Sequence, residues 1–510
     1  MKWEIKIFYS ALEMTKQAGE RCSMREGCGI VGIASTQEDV ALPIFYALYA
    51  LQHRGQESAG IAVSGREDFR AKRNEIGESA KDITLARGMG FVYEVFNKHR
   101  LESLKGNLGI GHVRYSTTGT SQEENAEPLL VNYRKGKIAI AHNGNLVNTA
   151  ELRRELEREG RVFHSTTDTE VMAQLLAKEL IKRDPIDAIK ELMKRVIGSY
   201  SLAILLNDSL IAVRDPLGIK PLCVAEIQDT ENGGSSSGYI IASESPAIEM
   251  LGGTSIRDVK PGEVLMVKDG DLESHQLYRG RNTAHCVFEY IYFARPDSVL
   301  DGRLVYDVRR QIGERLAEES GVEGDIVSPV PDSGITFAIG YAKRAKIDYM
   351  EGFIKNRYVG RTFIMPEEAS RDIAVRLKLN AVRANVEGKR IVLVDDSIVR
   401  GTTSRKIVGY LKKKGAKEVH MRIGSPPIIA PCYLGIDTPT RDELLASKRS
   451  LDGICKFLNV DSVGYLSMEG LIDSVGIDAN NLCLGCLTEK YPVEIPGEVC
   501  VARQLKLTQF

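Results

Sequence analysis

The peptide Arg25-Glu-Gly-Cys-Gly-Ile-Val-Gly-Ile33 places a cysteine, Cys28, where it could become an N-terminal nucleophile. A cysteine with a free α-amino group carries its own general base, because the amine titrates near roughly 7.7–8.0 and an ordinary thiol near about 8.5. The neutral amine can then take the thiol proton without a histidine. This chemistry predicts that the mature chain begins at Cys28, either because residues 1–27 are a propeptide or because translation begins at Met24 or Met14.

Two other interpretations of this peptide are open. Residues 27–32 satisfy the pattern G-x-G-x-x-G, but a dinucleotide fingerprint needs a preceding apolar strand, and residues 21–26 are polar. Cys28 could also be an ordinary buried cysteine in an apolar first strand. The other motifs of the chain favour the nucleophile over both.

A phosphate-binding pattern occupies residues 392–404, where an apolar strand ends in Asp395 and Asp396 and a loop of small hydroxyl residues surrounds Gly401. Backbone N–H groups at the head of the next helix, with the hydroxyls of Thr402 and Thr403, would hold a terminal phosphate. The carboxylates would face sugar hydroxyls beside Mg²⁺, which prefers oxygen ligands. A simple helix cap is the alternative, but it gives the loop no use. No G-x-x-x-x-G-K-[ST] occurs, which argues against a Walker-type nucleotide triphosphatase.

These residues resemble the phosphoribosyl-pyrophosphate (PRPP) signature of the type I phosphoribosyltransferases. The resemblance implies that Pro329-Val-Pro-Asp-Ser-Gly-Ile335 is the pyrophosphate loop and that Ser333, Asp395 and Asp396 are magnesium positions. It also implies that residues 355–361 form a loop that closes over PRPP and keeps water from a carbocation-like ribosyl centre. The PRPP-binding residues that it implies are Asp332, Ser333, Lys355, Arg361, Asp395, Asp396, Arg400, Gly401, Thr402 and Thr403.

The N-terminal half carries four polar clusters beside glycines or apolar runs, at residues 51–60, 111–119, 141–146 and 166–170. Each alone could be an ordinary loop, but together they supply what amide hydrolysis needs. Arg114 offers a fork for an α-carboxylate, Asp168 a counter-charge for an α-ammonium, and Asn143 with the Gly144 N–H an oxyanion hole. A free amino acid with an amide side chain meets all three demands, and that amino acid is glutamine.

This set resembles the class II, N-terminal-nucleophile glutamine amidotransferases. The resemblance implies that Cys28, Asn143 and Gly144 are catalytic and that Arg54, Arg114 and Asp168 bind glutamine, with Arg54 flanking the nucleophile. From about Cys28 to Cys486 the whole chain resembles a family that fuses such an amidotransferase to a phosphoribosyltransferase.

The combined resemblance implies transfer of the glutamine amide nitrogen to C1 of PRPP. The products would be 5-phosphoribosylamine, glutamate and pyrophosphate, in the entry step of de novo purine synthesis. It also implies inhibition by purine nucleotides and a homo-oligomer, expected to be a tetramer.

Four cysteines are left for a separate role. Cys483 and Cys486 form a C-x-x-C, which alone fits a redox pair, half a zinc site or chance, and Cys286 and Cys432 lie far upstream. In one branch of the resembled family, four cysteines so placed bind a [4Fe–4S] cluster, although four thiolates also suit zinc. We expect the group to be structural and to pin the C-terminal segment to the domain boundary.

The elements that must position these residues change character near residue 275. Residues 28–275 mix short strands such as 138–141 and 201–206 with amphipathic helices such as 149–159 and 170–183, which predicts an α+β amidotransferase domain of stacked, mostly antiparallel sheets (an αββα sandwich). Residues 276–510 repeat strand, glycine loop and helix, which predicts an α/β phosphoribosyltransferase domain with a parallel sheet and ligands at the carboxyl ends of its strands.

The amino-acid composition indicates which kinds of partner and which compartment to expect. The 510 residues hold 68 lysines and arginines against 69 aspartates and glutamates. The protein therefore has no large positive net charge that would attract nucleic acid or an anionic membrane. Nine cysteines over this length suggest a reducing compartment, and no apolar run approaches the roughly 20 residues of a membrane span. We expect a cytoplasmic protein.

Two other functions are open. One is another synthase with the same amidotransferase half, such as a sugar-phosphate aminating synthase or an asparagine synthetase, which leaves residues 392–404 unexplained. The other is a non-enzymatic PRPP-sensing regulator, which has no use for Cys28, Arg114, Asn143 and Asp168.

Overall fold

The computed structural model describes residues 27–36, 39–65, 82–115, 122–206, 208–228, 236–280, 282–356, 379–438 and 440–496. The strands of its N-terminal half are β1 Gly29–Ser35, β2 Ser58–Ser64, β3 Thr84–Met89, β4 Leu108–Arg114, β5 Leu129–Tyr133, β6 Gly136–Leu146, β7 Gly198–Leu205, β8 Ser209–Arg214, β9 Cys223–Gln228, β10 Ser236–Ala242, β11 Gly253–Asp258, β12 Glu263–Lys268 and β13 Asp271–Gln276. The helices of this half are α1 Ala41–Ala50, α2 Val92–Val95, α3 Lys98–Glu102, α4 Thr149–Arg158, α5 Asp168–Leu180, α6 Pro185–Arg195 and α7 Ser245–Glu249.

Two antiparallel sheets stack in the N-terminal half. One has the strand order β11-β9-β10-β1-β4-β2-β3 and the other β13-β12-β8-β7-β6-β5. Apolar side chains from both sheets, among them Ile30 and Ile110 of the first and Ala139 and Leu205 of the second, share one buried cluster. Helices α1 and α7 cover the outer face of the first sheet, and α4 to α6 cover that of the second. The predicted αββα sandwich is therefore confirmed.

The predicted elements agree with this architecture. The runs 138–141 and 201–206 fall in β6 and β7, which pair antiparallel. The helix predicted over 170–183 ends at Leu180 and begins two residues earlier than predicted. It begins there because Thr167 caps its first turn by accepting the N–H of Glu170 at 3.3 Å. Strands β9 and β10 pair antiparallel on either side of residues 229–235, which lie outside the described part.

The C-terminal half is built on a four-stranded parallel sheet with the order β17-β20-β21-β22. Its strands are β14 His285–Cys286, β15 Val299–Leu300, β16 Arg303–Leu304, β17 Ile326–Pro329, β18 Phe353–Lys355, β19 Leu379–Ala381, β20 Arg390–Asp395, β21 Glu418–Ile423, β22 Ser462–Tyr465 and β23 Leu482–Cys483. Its helices are α8 Val305–Glu319, α9 Ile335–Ala345, α10 Arg383–Val386, α11 Thr402–Lys413, α12 Leu445–Lys448, α13 Leu451–Leu458, α14 Met468–Val475 and α15 Gly485–Thr488.

The two halves meet after β13, the last strand of the second antiparallel sheet. The next strand, β14, pairs in parallel with β23 near the end of the described chain. A π-helical turn, Glu289–Phe293, follows β14 and is buried between the halves. Among the helices described, none combines the length and the apolar character that crossing a bilayer requires.

Candidate active sites

Cys28 lies immediately before β1, the central strand of its seven-stranded sheet, and only 8% of it is exposed. Its thiol donates a hydrogen bond to the carbonyl oxygen of Tyr115 at 3.6 Å. Burial, followed by the charge of Glu127, raises the pKa of this thiol to about 12. A buried neutral thiol is a poor nucleophile, so chemistry at Cys28 requires a base next to the sulfur.

Asn143 and Gly144 lie near the end of β6. Asn143 is fully buried, yet neither its amide oxygen nor its amide nitrogen has a hydrogen-bond partner among the described residues. Its Oδ1 lies 3.4 Å from the point that a β-carbon on Gly27, the residue before Cys28, would occupy. Gly144 has φ +151°, and a β-carbon there would lie 2.1 Å from the Ser199 carbonyl oxygen, so only glycine fits. An unpartnered buried amide this close to the residue before Cys28 suits binding of a polar ligand atom.

Arg114 and Asp168 approach the same site from β4 and from the start of α5. The Arg114 guanidinium is buried and pairs with Glu57 at 3.2 Å. The Asp168 carboxylate accepts the Leu146 N–H at 2.9 Å. Burial opposes ionisation of Asp168, but the His142 imidazole holds its pKa below the ordinary value. Both charges act on the Cys28 thiol, so the structure brings Arg114 and Asp168 close to Cys28. Their roles in binding glutamine stay predictions.

Glu127 also belongs to this site, and the sequence analysis missed it. Its buried carboxylate accepts the His142 N–H at 2.8 Å and the Thr169 hydroxyl at 2.7 Å, and it lies 3.5 Å from His112 Nε2. It thereby contacts the neighbours in sequence of both Asn143 and Asp168. Burial raises the pKa of Glu127 to about 7 and lowers that of His112 to about 3. Nothing in the polar stretch before Pro128 distinguishes Glu127 from Glu123 and Glu124.

Arg54 contacts the backbone of Cys28. Its Nε donates to the Cys28 carbonyl oxygen at 3.1 Å, and its Nη atoms pair with Glu244 and Glu289. Because these partners occupy the fully buried guanidinium, the contacts favour a supporting role over direct contact with glutamine. The assignment of Arg54 to glutamine binding stays a prediction.

The two phosphate loops of the C-terminal half lie at the carboxyl ends of neighbouring parallel strands. The loop with Asp332 and Ser333 follows β17, and the loop from Asp396 to Gly401 follows β20, whose last residue is Asp395. The Val330 N–H donates to the Val394 carbonyl at 2.8 Å and joins the loops. Gly401, with φ +73°, stands at the N-terminus of α11, ahead of Thr402 and Thr403.

Asp395 and Asp396 are both buried at this edge. Burial, and then the adjacent Asp396 carboxylate, raises the pKa of Asp395 well above its ordinary value. Oxygen donors held this close suit a divalent cation that completes its coordination with substrate phosphate oxygens. Within the described ranges, no three His, Cys, Asp or Glu side chains are arranged to hold a metal ion by themselves.

The predicted closing loop is described only at its start. Lys355 ends β18 and forms an ion pair with Asp332 at 2.7 Å, across the mouth of the pyrophosphate loop. Arg361, with residues 357–360, lies outside the described part of the chain. Arg400 pairs with Glu443 at 2.7 Å and is mostly buried beside Gly401.

The four cysteines assigned to one group come together at the junction of the halves, without a disulfide among them. Cys286 and Cys483 are register partners in the β14–β23 pair, and the Cys486 carbonyl accepts the Ile429 N–H at 3.0 Å, close to Cys432. Burial raises the pKa of all four thiols, and their charges act on one another.

The donor chemistry of these four thiols fits an iron–sulfur cluster and also suits zinc. Cys286 and Cys486 are buried members of one hydrophobic cluster, and the partly buried Cys432 and Cys483 pack against it. The choice of an iron–sulfur cluster over zinc stays a prediction from the resemblance.

Comparisons with known proteins agree with the two halves. A family of glutamine amidotransferase domains matches residues 112–249, and the phosphoribosyl transferase domain family matches residues 297–423. The amidophosphoribosyltransferase of Archaeoglobus fulgidus is 54% identical over 477 residues, covering 93% of this chain and 99% of that protein. That of Bacillus subtilis is 44% identical over 480 residues, covering 92% and 95%.

Solved structures give the same result. The glutamine PRPP amidotransferase from B. subtilis, complexed with ADP and GMP, superposes with a TM-score of 0.83 at 44% identity, covering 92% of this chain and 98% of that one. A second structure, described as the allosteric regulatory enzyme of purine biosynthesis, also gives 0.83 at 44% identity, covering 92% and 97%.

The fold and the matched domains define the class as an N-terminal-nucleophile glutamine amidotransferase joined to a phosphoribosyltransferase. Within that class, the chain shares its length and about half of its residues with amidophosphoribosyltransferases. The chain belongs to the amidophosphoribosyltransferase family, the enzymes of the first step of purine biosynthesis.

Proposed function

We propose that Cys28, freed of residues 1–27, is the nucleophile that releases ammonia from glutamine for transfer to C1 of PRPP. The observation that carries this proposal is a buried Cys28 thiol on which the charges of Arg114 and Asp168 act, together with an unpartnered Asn143 amide that approaches the residue before Cys28. A thiol with a pKa near 12 needs a base, and an α-amino group on the same residue supplies one at the sulfur.

In the amidotransferase half, Arg114 binds the glutamine α-carboxylate and Asp168 binds its α-ammonium. The Cys28 sulfur attacks the side-chain amide carbon while its proton passes to the α-amine. Asn143 Nδ2 and the Gly144 N–H hold the oxyanion. The protonated α-amine of Cys28 then gives its proton to the departing nitrogen, which leaves as ammonia. A γ-glutamyl thioester on Cys28 remains. Water, deprotonated by the same amine, hydrolyses the thioester to glutamate.

In the phosphoribosyltransferase half, the N-terminus of α11 with Thr402 and Thr403 binds the 5-phosphate of PRPP. The loop of Asp332 and Ser333 holds the pyrophosphate, and Asp395 with Asp396 faces the ribose hydroxyls. Ser333, Asp395 and Asp396 would hold Mg²⁺, and the ion would supply charge neutralisation for the leaving pyrophosphate. Ammonia attacks C1 and the C1–O bond to pyrophosphate breaks, under a loop that includes Lys355 and Arg361. Ammonia would travel inside the protein, because in water it is protonated and loses its nucleophilicity.

Further properties follow from the same proposal. Cys286, Cys432, Cys483 and Cys486 would hold a structural [4Fe–4S] cluster. Purine nucleotides would inhibit, in keeping with the ADP and GMP bound to the B. subtilis relative. We further propose an amidotransferase domain at 28–275, a phosphoribosyltransferase domain at 276–510, a homotetramer and a cytoplasmic location.

A glutaminase assay with and without PRPP tests the proposed function. We expect glutamine hydrolysis by the wild type, and formation of 5-phosphoribosylamine when PRPP is added. Another amidotransferase synthase would hydrolyse glutamine and make no phosphoribosylamine, and a PRPP-sensing regulator would bind PRPP and turn over neither substrate. Either result would contradict the proposal.

A further inference from the structure

Four charged side chains form a buried group behind the nucleophile. Arg54, Lys220 and Glu244 are fully buried and Glu289 is 2% exposed. Arg54 Nη1 lies 2.5 Å from Glu244, and Lys220 Nζ lies 3.5 Å from Glu289. Two cations and two carboxylates make the group neutral overall, as burial of charge requires. Four charges in a core that apolar residues could fill suggest a task beyond packing.

A direct chain of hydrogen bonds joins Glu289 to the nucleophile. The Glu289 carboxylate accepts from both terminal nitrogens of Arg54, at 3.0 and 2.7 Å. Because the guanidinium is planar and rigid, a fork held at its two Nη atoms also fixes the direction of Nε. Nε is the atom that donates to the Cys28 carbonyl oxygen at 3.1 Å. The position of the Cys28 backbone is therefore set through Arg54.

Glu289 belongs to the other half of the molecule. It begins the π-helical turn that follows β14, whereas Cys28 and Arg54 belong to the amidotransferase sandwich. The turn is fixed in place by Arg309 of α8, which donates to the carbonyls of Tyr290 and Ala294, both at 2.8 Å. The backbone of the nucleophile is thus anchored from outside its own domain.

We propose that Glu289 is a positioning residue for glutamine hydrolysis, which acts through Arg54 to hold Cys28 at the attack geometry. The inference rests on the proposed role of Cys28. Glu244 is a weaker candidate for this role, because its carboxylate also accepts from His53, from Ser298 and from the Arg295 N–H. Glu289 accepts only from Arg54 and Lys220 among the side-chain contacts described.

The test compares glutamine-dependent with ammonia-dependent synthesis of phosphoribosylamine in E289Q. We expect glutamine-dependent kcat to fall about 10- to 100-fold, because a displacement of about 1 Å at a reacting group has effects of that size. Ammonia-dependent kcat should stay within about twofold, since it does not use Cys28, and it reports that the variant is folded. The glutamine KM should change less than kcat, because Arg114 and Asp168 are untouched. Alkylation of Cys28 by iodoacetamide should slow in parallel with kcat.

The matched control is E263Q. Glu263 is also a buried glutamate, paired with Arg257 at 2.8 Å, but it lies on β12 and has no contact with Arg54. Its removal costs an ion pair without reaching Cys28, so the ratio of the two activities should stay at the wild-type value. If E289Q does not fold, E289Q/K220M decides, because that pair of changes keeps the buried group neutral.

An unchanged ratio in E289Q or in E289Q/K220M, or an equal change in E263Q, would overturn the inference. Failure of the proposed function looks different. If Cys28→Ala still turned over glutamine, the nucleophile itself would be misassigned. An inactive Cys28→Ala beside a normal E289Q would overturn only the role of Glu289.

Discussion

Cys286 and Cys483 are register partners in a two-stranded parallel pair, although they come from opposite ends of the C-terminal half. The pair brings the segment after the amidotransferase domain against the last part of the described chain. Cys432 and Cys486 join the same buried region. A group bound by all four thiols would therefore tie three distant segments to the junction of the two halves.

Replacement of one of the four cysteines tests whether a bound group links these segments. We expect protein purified without oxygen to carry four iron and four sulfide ions per chain, and Cys483→Ser to lose most of that iron. Loss of a bound structural group should lower the midpoint of thermal unfolding by more than about 5 °C. Iron and acid-labile sulfide analysis with calorimetry measures both quantities.

The control for this variant is Cys455→Ser. Cys455 is half-buried on α13 and belongs to no group assigned here, so its replacement should leave the iron content unchanged. A colourless wild-type protein that contains zinc would contradict the cluster, and so would an equal loss of iron in both variants.

Replacement of Asp395 by asparagine should stabilise the fold and abolish activity. Burial and the Asp396 charge raise the pKa of Asp395, so its ionisation costs the folded state stability as pH rises through that pKa. Asp395→Asn removes this cost, and without Mg²⁺ we expect a thermal midpoint at least about 2 °C above wild type at pH 7. Both glutamine- and ammonia-dependent activities should be lost, because PRPP no longer binds productively.

Asp325→Asn provides the comparison. Asp325 lies at the opposite end of the same sheet and pairs with Arg390 at 3.0 Å. Both activities should survive this change. Ammonia-dependent turnover by Asp395→Asn at the wild-type rate would refute the role assigned to that carboxylate.

Asn143→Ala should lose glutamine chemistry at little cost to the fold. Removal of one oxyanion donor lowers kcat about 10²- to 10³-fold in comparable sites. Because the Asn143 amide has no partner among the described residues, its loss should change the free energy of unfolding by less than about 1 kcal/mol. Ammonia-dependent activity should be unchanged. Kinetics with each nitrogen donor, together with urea unfolding, gives all three results.

Asn148→Ala should behave in the opposite way. Asn148 is buried, donates to the Arg195 carbonyl at 2.8 Å and accepts the Ile197 N–H at 3.0 Å. Its removal should cost about 1–3 kcal/mol of stability and spare the ratio of the two activities. If Asn143→Ala lost both activities equally, the oxyanion role would be wrong.

Glu127 should make stability depend on pH. Burial raises its pKa from 4.5 to about 7, so the folded chain holds a proton that the unfolded chain releases. The stability this adds is fully present below about pH 4.5 and is lost as pH rises through 7. Glu127→Gln keeps an oxygen acceptor for the His142 N–H but does not titrate. We expect the wild-type minus variant difference in unfolding free energy to fall by about 2 kcal/mol from pH 5 to pH 8. A difference independent of pH would contradict this environment for Glu127.

The sequence predicts the sites best where chemistry is local. A strand that ends in Asp395 and Asp396 before a glycine loop specifies its own geometry, and the structure places that loop beside the loop of Ser333 at one edge of the sheet. Likewise, Asn143 and Gly144 follow an apolar run that forms β6. The order of strand, loop and helix therefore predicts both halves of the fold.

Contacts between distant segments are not visible in such patterns. Glu127 meets His142 and Thr169 only after three segments fold together. Glu289 offers a clearer signal, because it is the one acidic residue in the apolar run 287–293, and an isolated charge in such a run needs a buried partner. That partner, Arg54, comes from a turn 235 residues earlier in the chain, so the pattern alone cannot identify it.

The central claim is that Cys28 acts with an unblocked α-amine. Intact-mass measurement and N-terminal sequencing of the active enzyme, isolated from its native source, test it most directly. We predict a single species that begins Cys28-Gly29-Ile30 and that gains one γ-glutamyl group on sulfur when it is quenched during glutamine turnover. A fully active enzyme that retained any residue before Cys28 would contradict the account.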